Sequence, residues 1–209
     1  MQVKICGITN WADAKAAIDA GADALGFNFY AKSPRRISIS HAREIIWHLP
    51  KHIAAVGVFV NARETEVLRT VRAVRLNAVQ LHGDESPRTV SRLSHRLPVI
   101  KAFRVGPGFR TKHLQEYVDA SAFLLDGFDA KARGGTGKKF NWRIANEAKQ
   151  FGLIILAGGL KQENVAKAIR EVQPFAVDVC SGVEAAPGKK DAKKLRSLMA
   201  AVNKAGERR

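Results

Sequence analysis

Eight short apolar runs recur along the chain, and each is followed by a stretch whose apolar residues are spaced as in a helix. The runs are rich in Val, Ile, Leu and Ala, and they span residues 3–6, 24–29, 53–60, 78–81, 99–103, 122–125, 153–157 and 175–179. Near-continuous apolar runs of this length are typical of parallel strands that are buried on both faces. Over 209 residues this gives about 26 residues per unit, which predicts an α/β fold, a single (β/α)8 TIM barrel at the short end of its size range.

An open, doubly wound sheet is the alternative architecture, although such sheets more often have five or six strands. No linker or break in composition divides the chain, so we predict one domain over residues 1–209. Residues that cap helices mark several starts: Asn10, Ser40, Asn61 with Glu64 three residues later, and Ser86 before Pro87. Two glycines, Gly21 and Gly152, lie where helices are expected to end.

Composition limits the class of protein. With 46% hydrophobic residues the chain is not disordered, and no apolar run approaches the roughly 20 residues of a membrane span. The start of the chain resembles a strand rather than a signal peptide, and two cysteines cannot build a disulfide framework or a zinc cluster. We therefore expect a cytoplasmic protein with no membrane partner.

The net charge of +16 fits either nucleic acid or an anionic small molecule as partner. No zinc-finger spacing, RNA-binding motif or basic–aromatic interleaving is present, so we expect no specific nucleic acid. Part of the excess lies in residues 189–209, which we interpret as a solvated final helix. A basic nucleic-acid-binding module remains the competing reading, and it predicts salt-sensitive binding to DNA or RNA.

Polar side chains interrupt five of the apolar runs, mostly near their C-terminal ends. They are Lys4 and Cys6, Gln80 and His82, Lys101, Asp126, and Asp178. A charge inside a buried strand must be paired or functional, and the C-terminal ends of barrel strands carry the active site. Each residue alone has an ordinary structural explanation, but their recurrence at one end of the strands predicts a site there.

Glycines follow the last two strands. Gly158 and Gly159 come after the seventh run, and Ser181 and Gly182 come after the eighth. Many barrels bind phosphate at these two loops with backbone N–H groups. Each pair alone could be ordinary turn glycines, but their occurrence after both of the last two strands favours a phosphate site. The glycine-rich segment at residues 134–137 lacks the spacing of a nucleotide-binding P-loop, and we predict a mobile loop that closes over the site.

At this point the motifs resemble a known family, the phosphoribosylanthranilate isomerases of tryptophan biosynthesis, over nearly the whole chain. The segments are VKICGIT (3–9), GFNF (26–29), KSPR (32–35), VGVFVN (56–61), VQLHG (79–83), LLD (124–126), GGTG (134–137), FNW (140–142), LAGGL (156–160), VDVCSGVE (177–184) and PGKKD (187–191). The resemblance implies an Amadori rearrangement without a cofactor or metal. It converts N-(5-phosphoribosyl)anthranilate to 1-(2-carboxyphenylamino)-1-deoxyribulose 5-phosphate.

The resemblance also implies roles for individual residues. Cys6 matches the general base that takes the proton from sugar C2, and Asp126 matches the general acid for the ring oxygen. Arg35 matches a substrate anchor, while His82 and Asp178 match positions that line the pocket. The residues that match phosphate contacts are Gly158, Gly159, Ser181 and Gly182. Position 180 departs from the family, because it is Cys where Ser or Asn is expected.

The chemistry requires one acid and one base on different sides of the sugar. In a barrel the first and sixth strands lie across the mouth from each other, which suits Cys6 and Asp126. A thiol base needs a lowered pKa, and Lys4, on the same face of the first strand, is the candidate cause. Arg35 can hold the substrate carboxylate in a bidentate fork. Six loop cations have two explanations, ordinary solvated charge or steering of the anionic substrate: Lys32, Arg36, Lys131, Arg133, Lys138 and Lys139.

The sequence leaves open the distance between the two cysteines and the exact reaction. Cys6 and Cys180 end neighbouring strands, but disulfide geometry is strict, so we expect two separated thiols. The alternative function is another phosphate-binding barrel isomerase or epimerase acting on a sugar phosphate, although a histidine-pathway isomerase would place Asp where Cys6 stands. We expect a small phosphorylated substrate and a monomer or homodimer.

Overall fold

A computed structural model describes residues 1–127 and 141–206. Eight parallel strands pair in chain order, and β8 pairs with β1 to close the barrel. The barrel strands are β1 (Gln2–Cys6), β2 (Ala24–Asn28), β3 (Ala54–Phe59), β4 (Ala78–Leu81), β5 (Val99–Val105), β6 (Ala122–Gly127), β7 (Ile154–Leu156) and β8 (Ala176–Val179). The predicted (β/α)8 barrel is confirmed, and the open sheet is excluded by its closure.

Helices connect the strands on the outside of the barrel. They are α1 (Trp11–Ala20), α2 (Ile39–Trp47), α3 (Glu64–Val74), α4 (Pro87–Ser94), α5 (Arg143–Ala148), α6 (Val165–Val172) and α7 (Ala192–Gly206). The connection between β5 and β6 carries a 3₁₀ helix, Thr111–Tyr117, where the repeating pattern predicts an α-helix. Further 3₁₀ turns lie at Lys149–Phe151 and Ser181–Val183, and a small antiparallel hairpin, β9 (Glu184–Ala186) and β10 (Lys189–Lys190), follows β8.

Side-chain caps explain where several helices begin. The Asn10 side chain accepts from the Asp13 amide at 2.9 Å, and the Ser86 hydroxyl caps α4 ahead of Pro87, as the sequence predicts. The left-handed Gly21 ends α1, with a φ of 103°.

Two predicted caps are wrong. Helix α2 is capped by Ser38 rather than Ser40, because Ile37 is buried in the core and the helix starts directly after it. Asn61 does not cap α3: its side chain instead accepts from the Asp84 amide, across to the loop after β4.

Two apolar layers form, one on each side of the strands. Inside the barrel lie mostly small residues: Val56, Ile100, Ala102, Ala122, Leu124, Ile155, Ala157 and Ala176. The larger core fills the space between the strands and the helices. Because side chains alternate along a strand, the same inward rows continue to Lys4, Asp126 and Asp178 at the C-terminal side. No helix in the two described ranges is long and apolar enough to cross a membrane.

Candidate active site

Cys6 is the last residue of β1 and is buried at the C-terminal end of the barrel. Its side chain interacts with that of Cys180, which follows β8, so the expectation of two separated thiols is wrong; both are free cysteines. The hydrogen bond from Cys180 is the largest influence on Cys6 and, with the Lys4 and Lys190 cations, it holds the pKa of the Cys6 thiol well below its usual range, although burial opposes them. The site thus holds a thiol that ionises readily.

Lys4 and Asp178 form a buried ion pair one layer below this thiol. The two residues are register partners on β1 and β8, and Lys4 Nζ donates to Asp178 Oδ1 at 2.8 Å. Burial opposes the Lys4 charge, but Asp178 and Cys6 outweigh it and raise the pKa of Lys4. Burial raises the pKa of Asp178 to about 6, and Lys4 only partly offsets this. Lys4 is also one of the cations that lower the pKa of Cys6, after the larger influence of Cys180.

Arg35, in the loop after β2, is buried against a carboxylate of the same chain. Its Nε and Nη2 donate to Glu184 at 2.9 and 2.7 Å, and this fork raises the pKa of Arg35 despite burial. The predicted fork to a substrate carboxylate therefore cannot use this edge of the guanidinium. The outer edge, formed by the two terminal nitrogens, is the one left to face a ligand.

His82 and Asp126 stand at another part of the mouth. His82 Nε2 lies 3.5 Å from Asp126 Oδ2, which is a close approach but longer than a hydrogen bond. The Gln80 amide nitrogen lies 2.8 Å from His82 Nδ1, and with that nitrogen as donor the His82 proton is on Nε2, facing Asp126. Asp178 feels the charges of both Cys6 and Asp126, so these groups share one electrostatic environment.

The loops after β7 and β8 touch each other. Gly158 and Gly159 have φ values of 82° and 66°, a left-handed backbone that favours glycine. Asn164 braces this turn, because its side chain donates to the Gly159 carbonyl at 2.8 Å. A side chain at Gly182 would collide with the Leu160 carbonyl, so close approach of the two loops requires glycine there. The glycines of both loops are partly exposed.

Lys101 is the one strand-interrupting polar residue that the structure assigns to packing. It alternates with the inward-facing Ile100 and Ala102, so its side chain lies outside the barrel wall. There its ammonium donates to Glu85 at 3.0 Å and to the Gly83 carbonyl at 2.9 Å. Burial lowers the pKa of Lys101 despite this carboxylate.

Sequence reasoning missed two buried charges at the site, Glu184 and Lys190. We interpreted residues from 189 onward as a solvated helix, but the Lys190 side chain is fully buried and its ammonium lies 3.0 Å from Glu184. The helical interpretation holds for α7, which buries Leu195 and Leu198 on one face. Lys190 lies in β10, before α7 begins, and does not follow the apolar spacing of that helix. This break in the spacing is the sequence feature that distinguishes Lys190 from the solvated lysines of the helix.

Part of the predicted site lies outside the described residues. The glycine-rich segment 134–137 and the cations Lys131, Arg133, Lys138 and Lys139 fall in that gap. In the described parts of the chain, no group of three or more His, Cys, Asp or Glu side chains is placed to hold a metal ion.

Comparisons with known proteins give one family. The family model for N-(5'phosphoribosyl)anthranilate (PRA) isomerase matches residues 3–201. The N-(5'-phosphoribosyl)anthranilate isomerase of Geotalea uraniireducens is 54% identical over 198 residues, covering 95% of this chain and 96% of that protein.

Solved structures agree with this match. A phosphoribosyl anthranilate isomerase in complex with reduced 1-(o-carboxyphenylamino)-1-deoxyribulose 5-phosphate is similar with a TM-score of 0.87, at 41% identity over 98% of this chain and 99% of that one. Monomers of the dimeric phosphoribosylanthranilate isomerase from Thermotoga maritima are similar with a TM-score of 0.86, at 39% identity over 97% and 98% of the two chains.

Proposed function

The chain belongs to the N-(5'-phosphoribosyl)anthranilate isomerase family, and we propose that Cys6 is the general base and Asp126 the general acid of its reaction. The reaction is the rearrangement of N-(5-phosphoribosyl)anthranilate to 1-(2-carboxyphenylamino)-1-deoxyribulose 5-phosphate in tryptophan biosynthesis. The alternative of a different sugar-phosphate isomerase is thereby set aside. The observation that supports the acid–base pair is a buried, readily ionised thiol at the end of β1, where the reaction needs a base.

The rearrangement begins with opening of the furanose ring. Asp126 gives a proton to the ring oxygen as its bond to C1 breaks, and the anilino nitrogen forms a double bond to C1. The Cys6 thiolate then removes the proton from C2. The released electron pair forms a double bond between C1 and C2, and the π pair of the C1–N double bond returns to the anilino nitrogen. Transfer of a proton to C1 and loss of the enol proton leave the ketone. His82, with Nε2 facing Asp126 at 3.5 Å, is placed to orient that carboxyl group.

The two ends of the substrate need separate anchors. We assign the phosphate to backbone donors at Gly158, Gly159, Ser181 and Gly182, because the two loops meet there and expose amide groups. The carboxylate is assigned to the outer edge of the Arg35 guanidinium, whose inner edge Glu184 holds fixed. Asp178, paired with Lys4, lines the floor of the pocket between acid and base.

The direct test is an assay in which phosphoribosylanthranilate is generated in situ and the loss of its fluorescence is followed. Acid–base groups contribute about 10²–10⁴-fold to rate, so Cys6→Ser and Asp126→Asn should each lower kcat by about that factor. Cys180→Ser is the matched control, because it also replaces a thiol at the site but should keep near-normal turnover. Full turnover by either of the first two variants would sink this acid–base assignment while leaving the family assignment in place.

We further propose that the active unit is one domain over residues 1–209, cytoplasmic, and a monomer or homodimer without a specific nucleic-acid partner. The support is the continuous barrel and the dimeric relative from Thermotoga maritima. Light scattering coupled to size exclusion should give a mass of one or two chains, and a larger assembly would contradict this.

A further inference from the structure

A buried ammonium joins the ends of the first and last barrel strands. Lys190 Nζ donates to the carbonyl of Cys6 at 2.5 Å and approaches that of Cys180 at 3.4 Å. The Lys190 backbone amide is held in turn by Asp13 at 2.8 Å, so the residue is fixed at both ends. The cation thus lies against the backbone of the two cysteines that meet at the site.

The same ammonium also reaches the substrate-anchor side of the site. Glu184 Oε1 accepts from Lys190 at 3.0 Å and from Arg35 Nε at 2.9 Å, so one carboxylate bridges the two cations. Glu184 also accepts from the Gly188 amide at 3.2 Å, and its Oε1 lies 3.9 Å from Cys180 Sγ. These contacts give a continuous line of polar groups from Cys6 to Arg35.

One carboxylate of this cluster serves two cations. Glu184 is paired with both Arg35 and Lys190, whereas Asp178 is paired with Lys4. A buried charge is costly unless it is paired. A thiolate at Cys6 is therefore favoured beside two cations that share a single carboxylate.

We propose that Lys190 is a positioning residue for the reaction: its buried charge keeps Cys6 as the thiolate and, through Glu184, fixes the guanidinium of Arg35. The inference rests on the proposed role of Cys6 as base, and it adds the groups that prepare that base. Lys190 does not face the substrate; it acts through the Cys6 carbonyl, the electrostatic field at the thiol and the carboxylate of Glu184.

Other charged and titratable groups also face Cys6, and their contributions are separable. From β1 comes Lys4, from β8 Asp178, from the loop after β8 Cys180, and from the loop after β2 Arg35. Each sits on a different element from Lys190 in β10. Removing Lys190 therefore changes one cation while these groups remain.

The experiment measures the pH dependence of Cys6 alkylation by iodoacetamide, with the modified peptide identified by mass spectrometry, in the free enzyme. Lys190→Met should move the midpoint upward by about one pH unit, because a nearby cation lowers a thiol pKa. Lys189→Met is the matched control: the neighbouring lysine is exposed, and its loss should leave the midpoint unchanged. A folded Lys190→Met protein with the wild-type midpoint would overturn the proposal.

Glu184→Gln should shift the pH midpoint of Cys6 alkylation in the opposite direction to Lys190→Met. This variant tests the proposal even if Lys190→Met does not fold. Neutralising this carboxylate leaves the cations less compensated, so the alkylation midpoint should move downward while KM rises because Arg35 loses its fork. A purely structural role predicts no shift, or shifts of one sign in both variants, and either result would contradict the proposal. Failure of the acid–base assignment can be distinguished from failure of this proposal, because it would appear as turnover retained by Cys6→Ser.

Discussion

The largest influence on the pKa of the Cys6 thiol is a second thiol, Cys180. Their hydrogen bond lowers the pKa of Cys6 and raises that of Cys180, so Cys180 is the donor in this pair and Cys6 the acceptor. The residue at position 180 therefore helps to set the ionisation of the proposed base.

Cys180→Ala removes this donor, whereas Cys180→Ser keeps one. We expect the pH midpoint of Cys6 alkylation to rise in the alanine variant and to stay near the wild-type value in the serine variant. Equal midpoints in wild type and the alanine variant would show that Cys180 has no influence on the base.

The buried carboxyl group of Asp178 links stability to pH. Its pKa is raised from 3.8 to about 6, so ionising it in the folded state costs more than in the unfolded chain. The stability that Asp178 contributes is present in full below about pH 4 and is lost as pH rises through about 6. Asp178→Asn lacks this titration.

The unfolding free energy of wild type minus that of Asp178→Asn should therefore fall by about 2 kcal/mol between pH 4 and pH 8. Urea unfolding at a series of pH values gives this difference directly. A difference that rises with pH would mean that the ion pair with Lys4 outweighs the cost of burial.

At the scale of the elements, two loops form one surface. Gly182 lies against the Leu160 carbonyl, so a methyl group at position 182 would separate the loops after β7 and β8. Losing one or two hydrogen bonds to phosphate costs about 1.5–3 kcal/mol each. Gly182→Ala should thus raise KM by about tenfold or more with a smaller change in kcat.

The control for this variant is Gly206→Ala, in which the added methyl group meets no atom within 4 Å. Steady-state kinetics, together with inhibition by inorganic phosphate, separate a phosphate effect from a general one. A normal KM in Gly182→Ala would place the phosphate elsewhere.

Local signals in the sequence predicted the elements well, because each depends on neighbouring residues. The eight apolar runs and the Asn10 and Ser86 caps are of this kind. Ser40 failed because a second serine two residues earlier fits the same pattern, and only burial of Ile37 selects between them. Which serine caps α2 therefore depends on packing in the core, and packing cannot be predicted from neighbouring residues alone.

Partners distant in sequence could not be predicted from such signals. Arg35 was singled out, but its inner edge is held by Glu184, 149 residues away along the chain. Lys190 and Lys101 are both buried cations, but Lys190 is paired with Glu184 at the site and Lys101 with Glu85 outside the barrel wall. These different partners follow from strand order and register. Those depend on closure of the whole barrel.

At the scale of the whole molecule, the net charge of +16 is opposite in sign to the anionic substrate. Long-range attraction raises association rates and is screened by salt, since the Debye length is about 10 Å at 0.1 M. We expect kcat/KM to fall several-fold as the ionic strength rises from about 0.02 to 0.3 M, with kcat nearly constant. A salt-independent kcat/KM would confine the role of charge to the residues that touch the substrate.

In the proposed mechanism Cys6 acts as the general base and Asp126 as the general acid, and substrate deuterated at sugar C2 tests this assignment most directly. In Cys6→Ser, removal of the C2 proton limits the rate, so the residual activity should show a large primary isotope effect on kcat. In Asp126→Asn, ring opening limits the rate, and the effect should fall to near one. Isotope effects of equal size in the two variants would contradict the assignment of base and acid to these residues.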